Sequence, residues 1–475
     1  MCIISLTSNN PNFSRIIFKN PSNNVLIKKI RQGNAFGFYT ENKYSPIKEH
    51  DDKYYEKFNE KFNNLNELDT YLVYFRDGIE QVSYKYDDED KVDYMNPLKY
   101  SSTNCAMNLL VEYFKSLFNY DVIEEDKNYI YSFYVNLIHL TDFEIKIINN
   151  FKKYFTDFTI DLCAYETNRF NYYLIVTHND PKNLVKLCYI ILVILSIETF
   201  DFFVEGAIVE KIVNILSDID APYYIRNIIY NKIINSPNTF NKLKDNINLS
   251  KINNFNFTFG NNHFNRIQFA NNNIPYNSHI IDFGCGEGAY LNRIIRKADS
   301  YICFDIDPSE IIKLKRKIYN KINNSKTSND IKEKYKKISV FSDENDLYKY
   351  INENLIDKIN VVIIFSEVIE HIELEQVSEI MTRLYSLFKK NNSIKLITTT
   401  PNRDFNCNYF DDKQFRHDDH KFEFTKEEFK TFMGNAEMIF NEFNDNCKIN
   451  TIFHDIGDSV NNVATTQGAI ISVNI

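Results

Sequence analysis

Apolar and polar residues alternate along Val25–Phe38 and again along Tyr71–Tyr86, the two-residue rhythm of half-exposed β-strands. From Asn104 to Phe118 the rhythm lengthens to that of an amphipathic helix, and Ile208, Ile212 and Ile215 repeat it. The longest apolar run, Leu187–Ile197, spans about 11 residues against the roughly 20 needed to cross a bilayer. It reads as a buried helix or strand. Further on, short apolar runs (Ile280–Phe283, Tyr301–Asp305, Val361–Phe365 and Ile394–Thr398) alternate with amphipathic stretches. That order predicts a parallel sheet covered by helices, a doubly wound α/β domain. Between the two patterns, Ser236–Asn262 is rich in Asn, Ser and Lys with Pro237 near its start, and predicts a linker. The expected organisation is an N-terminal α+β domain over residues 1–245 and an α/β domain over 246–475.

At 475 residues the chain is long enough for two or three cores. Its net charge of −9 argues against a protein that holds nucleic acid mainly through a broad positive surface. Either the ligand is small, or a polymer is gripped at one point by something other than a basic patch. The eight cysteines show no CxxC or other metal spacing. With no secretory leader visible, they suggest reduced thiols in a cytoplasmic protein without a membrane anchor. His139 and His178 stand alone in the first half and read as structural or solvated.

Only 11 glycines occur, so three within five residues stand out. They lie in Asp282-Phe283-Gly284-Cys285-Gly286-Glu287-Gly288, at the end of the first strand of the α/β domain and ahead of a helical stretch expected from Ala289. Gly284, Gly286 and Gly288 would let the backbone turn sharply and approach a ligand, while the helix N-terminus offers free amides to a carboxylate. The second strand ends about 20 residues later in Asp305, where an acid can bind both ribose hydroxyls; Asp307 is the nearby alternative. A Gly-x-Gly-x-x-Ala reading would fit a nicotinamide cofactor, and a tight turn needs no cofactor. The full set of Asp282, the glycines and Asp305 resembles the S-adenosylmethionine-binding motifs of class I, Rossmann-like methyltransferases. Ser342 and Asp343 fall where that fold places its adenine contact, although Ser-Asp-Glu-Asn is also ordinary turn chemistry. Ser366, at the end of the next strand, joins the expected cofactor set.

Directly after Ser366 come Glu367, Glu370 and His371, at i, i+3 and i+4, which share one face if the turn is helical. Two carboxylates and an imidazole converging there repel and desolvate badly unless a cation or solvent intervenes. Oxygen ligands with an imidazole suit Mg²⁺ or Mn²⁺. A second cluster follows the strand Ile394–Thr398: Thr400-Pro401-Asn402, then Arg416-His417-Asp418-Asp419-His420-Lys421-Phe422-Glu423-Phe424-Thr425.

The Glu-x-x-Glu-His pattern, the Thr-Pro-Asn stretch and the Arg-x-x-Asp-His-Lys-Phe-Glu-Phe-Thr run together resemble the HEN-type RNA 3′-terminal ribose 2′-O-methyltransferases, over about residues 250–475. The resemblance implies metal ligation by Glu367, Glu370, His371 and His420. Phe424 stands where that family has Trp, in a chain with none. More faintly, Asp93-Tyr94-Met95 leading into Ser101–Leu110, and the run Leu187–Ile197, resemble the N-terminal region of bacterial members that act in RNA repair beside a polynucleotide kinase–phosphatase–ligase. The implied substrate is an RNA 3′ end, whether single-stranded, a cleaved tRNA or a small silencing RNA. A cation gripping the vicinal diol would acidify the 2′-hydroxyl toward the methyl sulfonium. That fits the acidic net charge, because the end is held without long electrostatic tracking.

His417 reads either as a proton acceptor or as a solvated neighbour, and Arg416 as pairing with a terminal phosphate or with an acid. Lys313–Lys317 reads as an RNA contact or a solvated helix face. Two other functions remain open on sequence alone. One is a metal-dependent methyltransferase of small diols, resembling catechol O-methyltransferases, and the other is an activating subunit for an RNA ligase.

Overall fold

The computed structural model describes residues 2–22, 25–30, 33–40, 69–76, 86–87, 91–92, 102–165, 168–197, 206–355, 358–388, 393–409, 415–442 and 448–474. They form two compact units, Met1–Asn235 and Ser236–Ile475.

In the first unit the two-residue rhythm does become strands: β1 (Cys2–Ser8), β2 (Leu26–Ile30), β3 (Gly33–Thr40), β4 (Asp69–Arg76), β5 (Tyr131–His139), β6 (Thr159–Tyr165) and β7 (Asn168–His178). They join in one sheet of order β2-β3-β4-β1-β5-β7-β6, antiparallel throughout. Helices Ser102–Phe114 and Pro181–Ile197 pack on it and on each other. The run Leu187–Ile197 is thus helical, and every residue of it is buried. Even Lys186 is buried, its ammonium 2.6 Å from Asp218. Among the described residues no helix is long and apolar enough to cross a membrane. The ring of His178 stacks on Phe158 at 3.9 Å and its Nδ1 meets the backbone of Asp180, a structural setting. The resemblance at Asp93–Ser101 lies outside the described residues.

The stretch expected to be a linker is ordered structure in the second unit. Ser236 caps a helix over Pro237–Asn248 by accepting from the Thr239 amide, with Pro237 at its first turn. Phe240, Leu243 and Ile247 are buried on one face. The Asn- and Lys-rich composition concealed that apolar stripe.

The second unit carries an eight-stranded sheet made of β8 (Phe255–Asn256), β9 (Ser278–Phe283), β10 (Ala298–Phe304), β11 (Ile338–Phe341), β12 (Val361–Ser366), β13 (Ile394–Pro401), β14 (Lys448–Val460) and β15 (Val463–Asn474). Its order is β8-β14-β15-β13-β12-β9-β10-β11, parallel from β13 to β11 and antiparallel beyond. Both faces are covered, so β12 is buried along its whole length. Ile363 and Phe365 pack with Leu347, Met381 and Met433 on one face, whereas Val362 and Ile364 pack with Ile267, Ile294 and Leu314 on the other. The molecule is therefore α/β with an antiparallel α+β N-terminal unit and a Rossmann-like C-terminal unit. The chain runs outward from β9 to β10 and β11 on one side and later to β12 and β13 on the other. The carboxyl ends of β9 and β12 flank that switch point, where ligands bind in open α/β sheets.

Candidate active site at the switch point

The glycine loop leaves β9 by turning back over the end of β10: the amides of Gly284 and Cys285 both donate to the Phe304 carbonyl, at 2.8 and 2.9 Å. Gly284, Gly286 and Gly288 all have positive φ (73°, 49° and 80°). A Cβ on Gly284 would collide with Val368 of the turn after β12, and one on Gly288 would lie 2.6 Å from Leu314. A Cβ at Gly286 would meet nothing within 4 Å, so there the loop faces open space. The helix after it is shorter than expected, a single turn over Leu291–Ile294 continued as 3₁₀ helix to Lys297.

Asp305 spans the loop, its carboxylate accepting from the amides of Gly286 at 2.7 Å and Asp307 at 2.9 Å. Asp307 itself caps the helix Pro308–Asn323 through the Ser309 amide. Asp343 likewise caps Glu344–Asn354, and Ser342 and Asp343 are exposed at the end of β11. Asp282 is buried and accepts from the Tyr301 hydroxyl at 2.7 Å; burial, with the Asp305 charge, pushes its carboxyl up to about 7. Lys313 and Lys317 pair with Glu287 and Glu310 on a solvated helix face.

The turn after β12 is not the α-helical turn that the i, i+3, i+4 spacing suggests. Glu367 has φ 54°, and a 3₁₀ turn over Ile369–His371 follows. This geometry sends Glu370 inward, where the Thr400 hydroxyl donates to one carboxylate oxygen at 3.0 Å. The other oxygen, Oε1, is buried with no hydrogen-bond partner, and the side chain is 0% exposed. Burial, reinforced by the Glu367 charge, holds the Glu370 carboxyl well above the usual carboxylate range. His420 arrives from the loop after β13, fastened by the Lys421 amide donating to the Glu370 carbonyl at 2.7 Å. Ligand atoms of Glu370, His371 and His420 lie within 4.8 Å of one another. Burial lowers the His371 pKa, favouring the neutral ring a metal requires.

Glu367 stands beside this trio rather than in it. Its carboxylate takes the Arg266 guanidinium at 2.7 Å and the Thr399 hydroxyl at 3.2 Å. His417 borders the cluster, its ring centre 5.1 Å from that of His420. Ser366 is buried between the hydroxyls of Tyr290 at 2.5 Å and Thr399 at 2.6 Å. Arg416 is spent on neutral acceptors: Asn406 Oδ1 at 2.9 Å and the carbonyls of Asn402 and Thr465. Among the described residues the Arg416 guanidinium thus meets neutral acceptors and no acid. Arg266, Thr400, Tyr290 and Glu423 went unnoticed in the sequence as site residues. Of these, Thr400 and Glu423 lay within the sequence motifs without being given a role, whereas Arg266 and Tyr290 carried no local signal.

The donor set suits a divalent cation. A buried carboxylate with one oxygen lacking a donor, clustered with two imidazoles, is a costly arrangement that a cation relieves. One carboxylate and two nitrogens, with Glu367 adjacent, match the preferences of Mn²⁺ or Mg²⁺ better than those of a thiolate-seeking metal. None of the seven described cysteines is in a disulfide, and none belongs to the cluster.

A family model for the Hen1 N-terminal domain matches residues 3–251, and one for a methyltransferase domain matches residues 262–437. No curated protein matches the chain by sequence. Among solved structures, one chain of the Pnkp1/Rnl/Hen1 RNA repair complex is similar over 99% of this chain and 100% of its own, at 21% identity and a TM-score of 0.73. A second structure of a Pnkp1/Rnl/Hen1 complex gives 22% identity and a TM-score of 0.71 over the same shares. At that identity the likeness speaks to the fold, which is shared from end to end. The N-terminal family match covers more than half of the sequence and is followed by a methyltransferase domain, so the chain belongs to the Hen1 family.

Proposed function

We propose that the C-terminal unit transfers a methyl group from S-adenosylmethionine to the 2′-hydroxyl of the 3′-terminal nucleotide of RNA, assisted by Mg²⁺ or Mn²⁺. The observation that carries this reading is the buried Glu370 carboxylate, one oxygen of it unpartnered, clustered with His371 and His420 on the same sheet edge as the glycine loop. Glu370, His371 and His420 would hold the cation, with Glu367 as the fourth ligand. Bound there, the cation supplies Lewis-acid polarisation and orientation of a vicinal diol.

The remaining work falls to the chain's own residues. Gly284, Gly286 and Gly288 open the loop to the methyl donor and Asp305 offers a carboxylate to its ribose. Asp282 and Ser366 brace the floor, and the exposed Ser342 and Asp343 border the pocket. The contact between Gly284 and Val368 sets the donor loop against the metal turn. Such fixed juxtaposition of two reactants can contribute on the order of 7–11 kcal/mol at best. His417 borders the cluster and would be the acceptor of the hydroxyl proton.

The end-to-end likeness to a chain of an RNA repair complex supports a role in RNA repair beside a kinase–phosphatase–ligase partner, for which the cytoplasm is the proposed compartment. Residues 1–245 would serve there as a ligase-assisting domain and 246–475 as the methyltransferase. The test is methyl transfer from labelled S-adenosylmethionine, with Mn²⁺, to RNAs ending in 2′,3′-hydroxyls or in 2′-deoxyribose. Label only on the diol end, lost with EDTA or in Glu370→Ala, is the expected result. Label on the deoxy end as well would refute the assignment to the 2′-oxygen.

A further inference from the structure

Glu423 is inaccessible to solvent and makes three hydrogen bonds: one with His420 Nδ1 at 2.6 Å, and two that it accepts, from the Arg416 amide at 2.7 Å and Asn406 Nδ2 at 2.6 Å. The orientation of the Asn406 amide is not free. Its Oδ1 accepts from Arg416 Nε at 2.9 Å, and a guanidinium can only donate, so Nδ2 must face Glu423. Arg416 in turn is clamped by the carbonyls of Asn402 and Thr465 and lies over the Tyr409 ring at 5.1 Å. Two of these directions are set by donor chemistry: Arg416 donates to Asn406, and Asn406 donates to Glu423. The Arg416 amide donates to the same Glu423 oxygen that meets His420 Nδ1. With that oxygen accepting from the ring, the His420 proton sits on Nδ1 and the Nε2 lone pair is left for the cluster with Glu370 and His371.

We propose that Arg416, Asn406 and Glu423 are positioning residues that fix the tautomer and ring orientation of His420 for metal binding, an inference that rests on the metal reading above. A carboxylate behind a histidine ligand raises its basicity and locks its ring, and losing such a partner commonly weakens metal binding about 10–100-fold. The network also explains why Arg416 lies in the same short loop as His420 without touching the cluster.

The test uses the full chain and Mn²⁺ as the probe, with binding read from the electron paramagnetic resonance of free Mn²⁺. Glu423→Gln keeps the shape but turns one acceptor into a donor, and should raise the Mn²⁺ dissociation constant about 10–100-fold. Its affinity for S-adenosylmethionine should stay near wild type. Arg416→Lys cannot grip three acceptors in a plane and should raise the constant about threefold or more. In ¹⁵N-histidine protein without metal, one strongly deshielded Nδ1 proton should be present in wild type and absent in Glu423→Gln. Unchanged Mn²⁺ affinity in both variants would overturn the relay and leave the metal site standing. Failure of the wild type to bind Mn²⁺ would overturn both. Should Glu423→Gln fold poorly, Arg416→Lys decides by the same comparison.

Discussion

Replacing Glu370 with glutamine should raise the stability of the metal-free protein and remove its stabilisation by Mn²⁺. In the wild type, Oε1 is buried without a partner and the carboxyl is crowded by the Glu367 charge. An unsatisfied buried polar atom costs about 1–3 kcal/mol. The glutamine amide keeps the Thr400 contact through its oxygen and presents N–H toward the imidazoles of the cluster. Taking the lower part of that range, about 1–2 kcal/mol is the expected gain. For a unit of roughly 240 residues that is a rise of about 2–6 °C in melting temperature. Saturation reverses the order. At 100 times its dissociation constant, Mn²⁺ stabilises the wild type by about 2.7 kcal/mol, and a variant bound 100-fold more weakly gains only about 0.4 kcal/mol. Scanning calorimetry in EDTA and in Mn²⁺ reads both halves. A variant that melts below wild type in EDTA would show that Glu370 is satisfied without metal. Equal gains with Mn²⁺ would place the metal elsewhere.

Asp282 sets a pH dependence. Its folded pKa of about 7 lies above its ordinary value, so its contribution favours folding at low pH and is lost as pH rises through 7. Asp282→Asn, which still accepts from Tyr301, should therefore gain on wild type between pH 5 and pH 8, and a pH-independent difference in melting temperature would refute this. Gly284→Ala forces a Cβ into Val368 at a φ of 73°, and should weaken both S-adenosylmethionine and Mn²⁺ about tenfold or more, about 1.4 kcal/mol each. Loss confined to the methyl donor in calorimetric titrations would argue against the loop bracing the metal turn. Arg266→Leu leaves Glu367 facing Glu370 without a cation. Breaking a fully buried pair costs about 3–5 kcal/mol; this pair is partly exposed, so about 1–3 kcal/mol is expected in EDTA, largely recovered with Mn²⁺. An unchanged melt would remove Arg266 from the site.

What the sequence revealed follows from how local each signal is. The parallel strands were legible because both faces of β9 and β12 are covered, which makes Val361–Phe365 a continuous apolar run. Glu370, His371 and His420 were legible because two short motifs carry them. The helix Pro237–Asn248 was missed because asparagines and lysines surround Phe240, Leu243 and Ile247, although Ser236 and Pro237 gave the start signal. The spacing of Glu367, Glu370 and His371 misled because helical geometry was assumed where the chain takes a left-handed residue and a 3₁₀ turn. Arg266 lies 101 residues before its partner Glu367, and no local pattern announces such a pairing. Asp305 was visible as an acid at a strand end, but its hold on the Gly286 amide belongs to the folded loop alone.

The left-handed backbone at Glu367 bears on how this protein can change. The other described non-glycine residues of the C-terminal unit with positive φ are all asparagines: Asn277, Asn360, Asn461 and Asn462. Asparagine and glycine enter that conformation readily, whereas a glutamate held there stores strain of order 1 kcal/mol. Heat tolerance and chemistry thus pull position 367 in opposite directions. A library screened only for thermal survival should drift toward asparagine or glycine there, and a library screened for methyl transfer should return to glutamate.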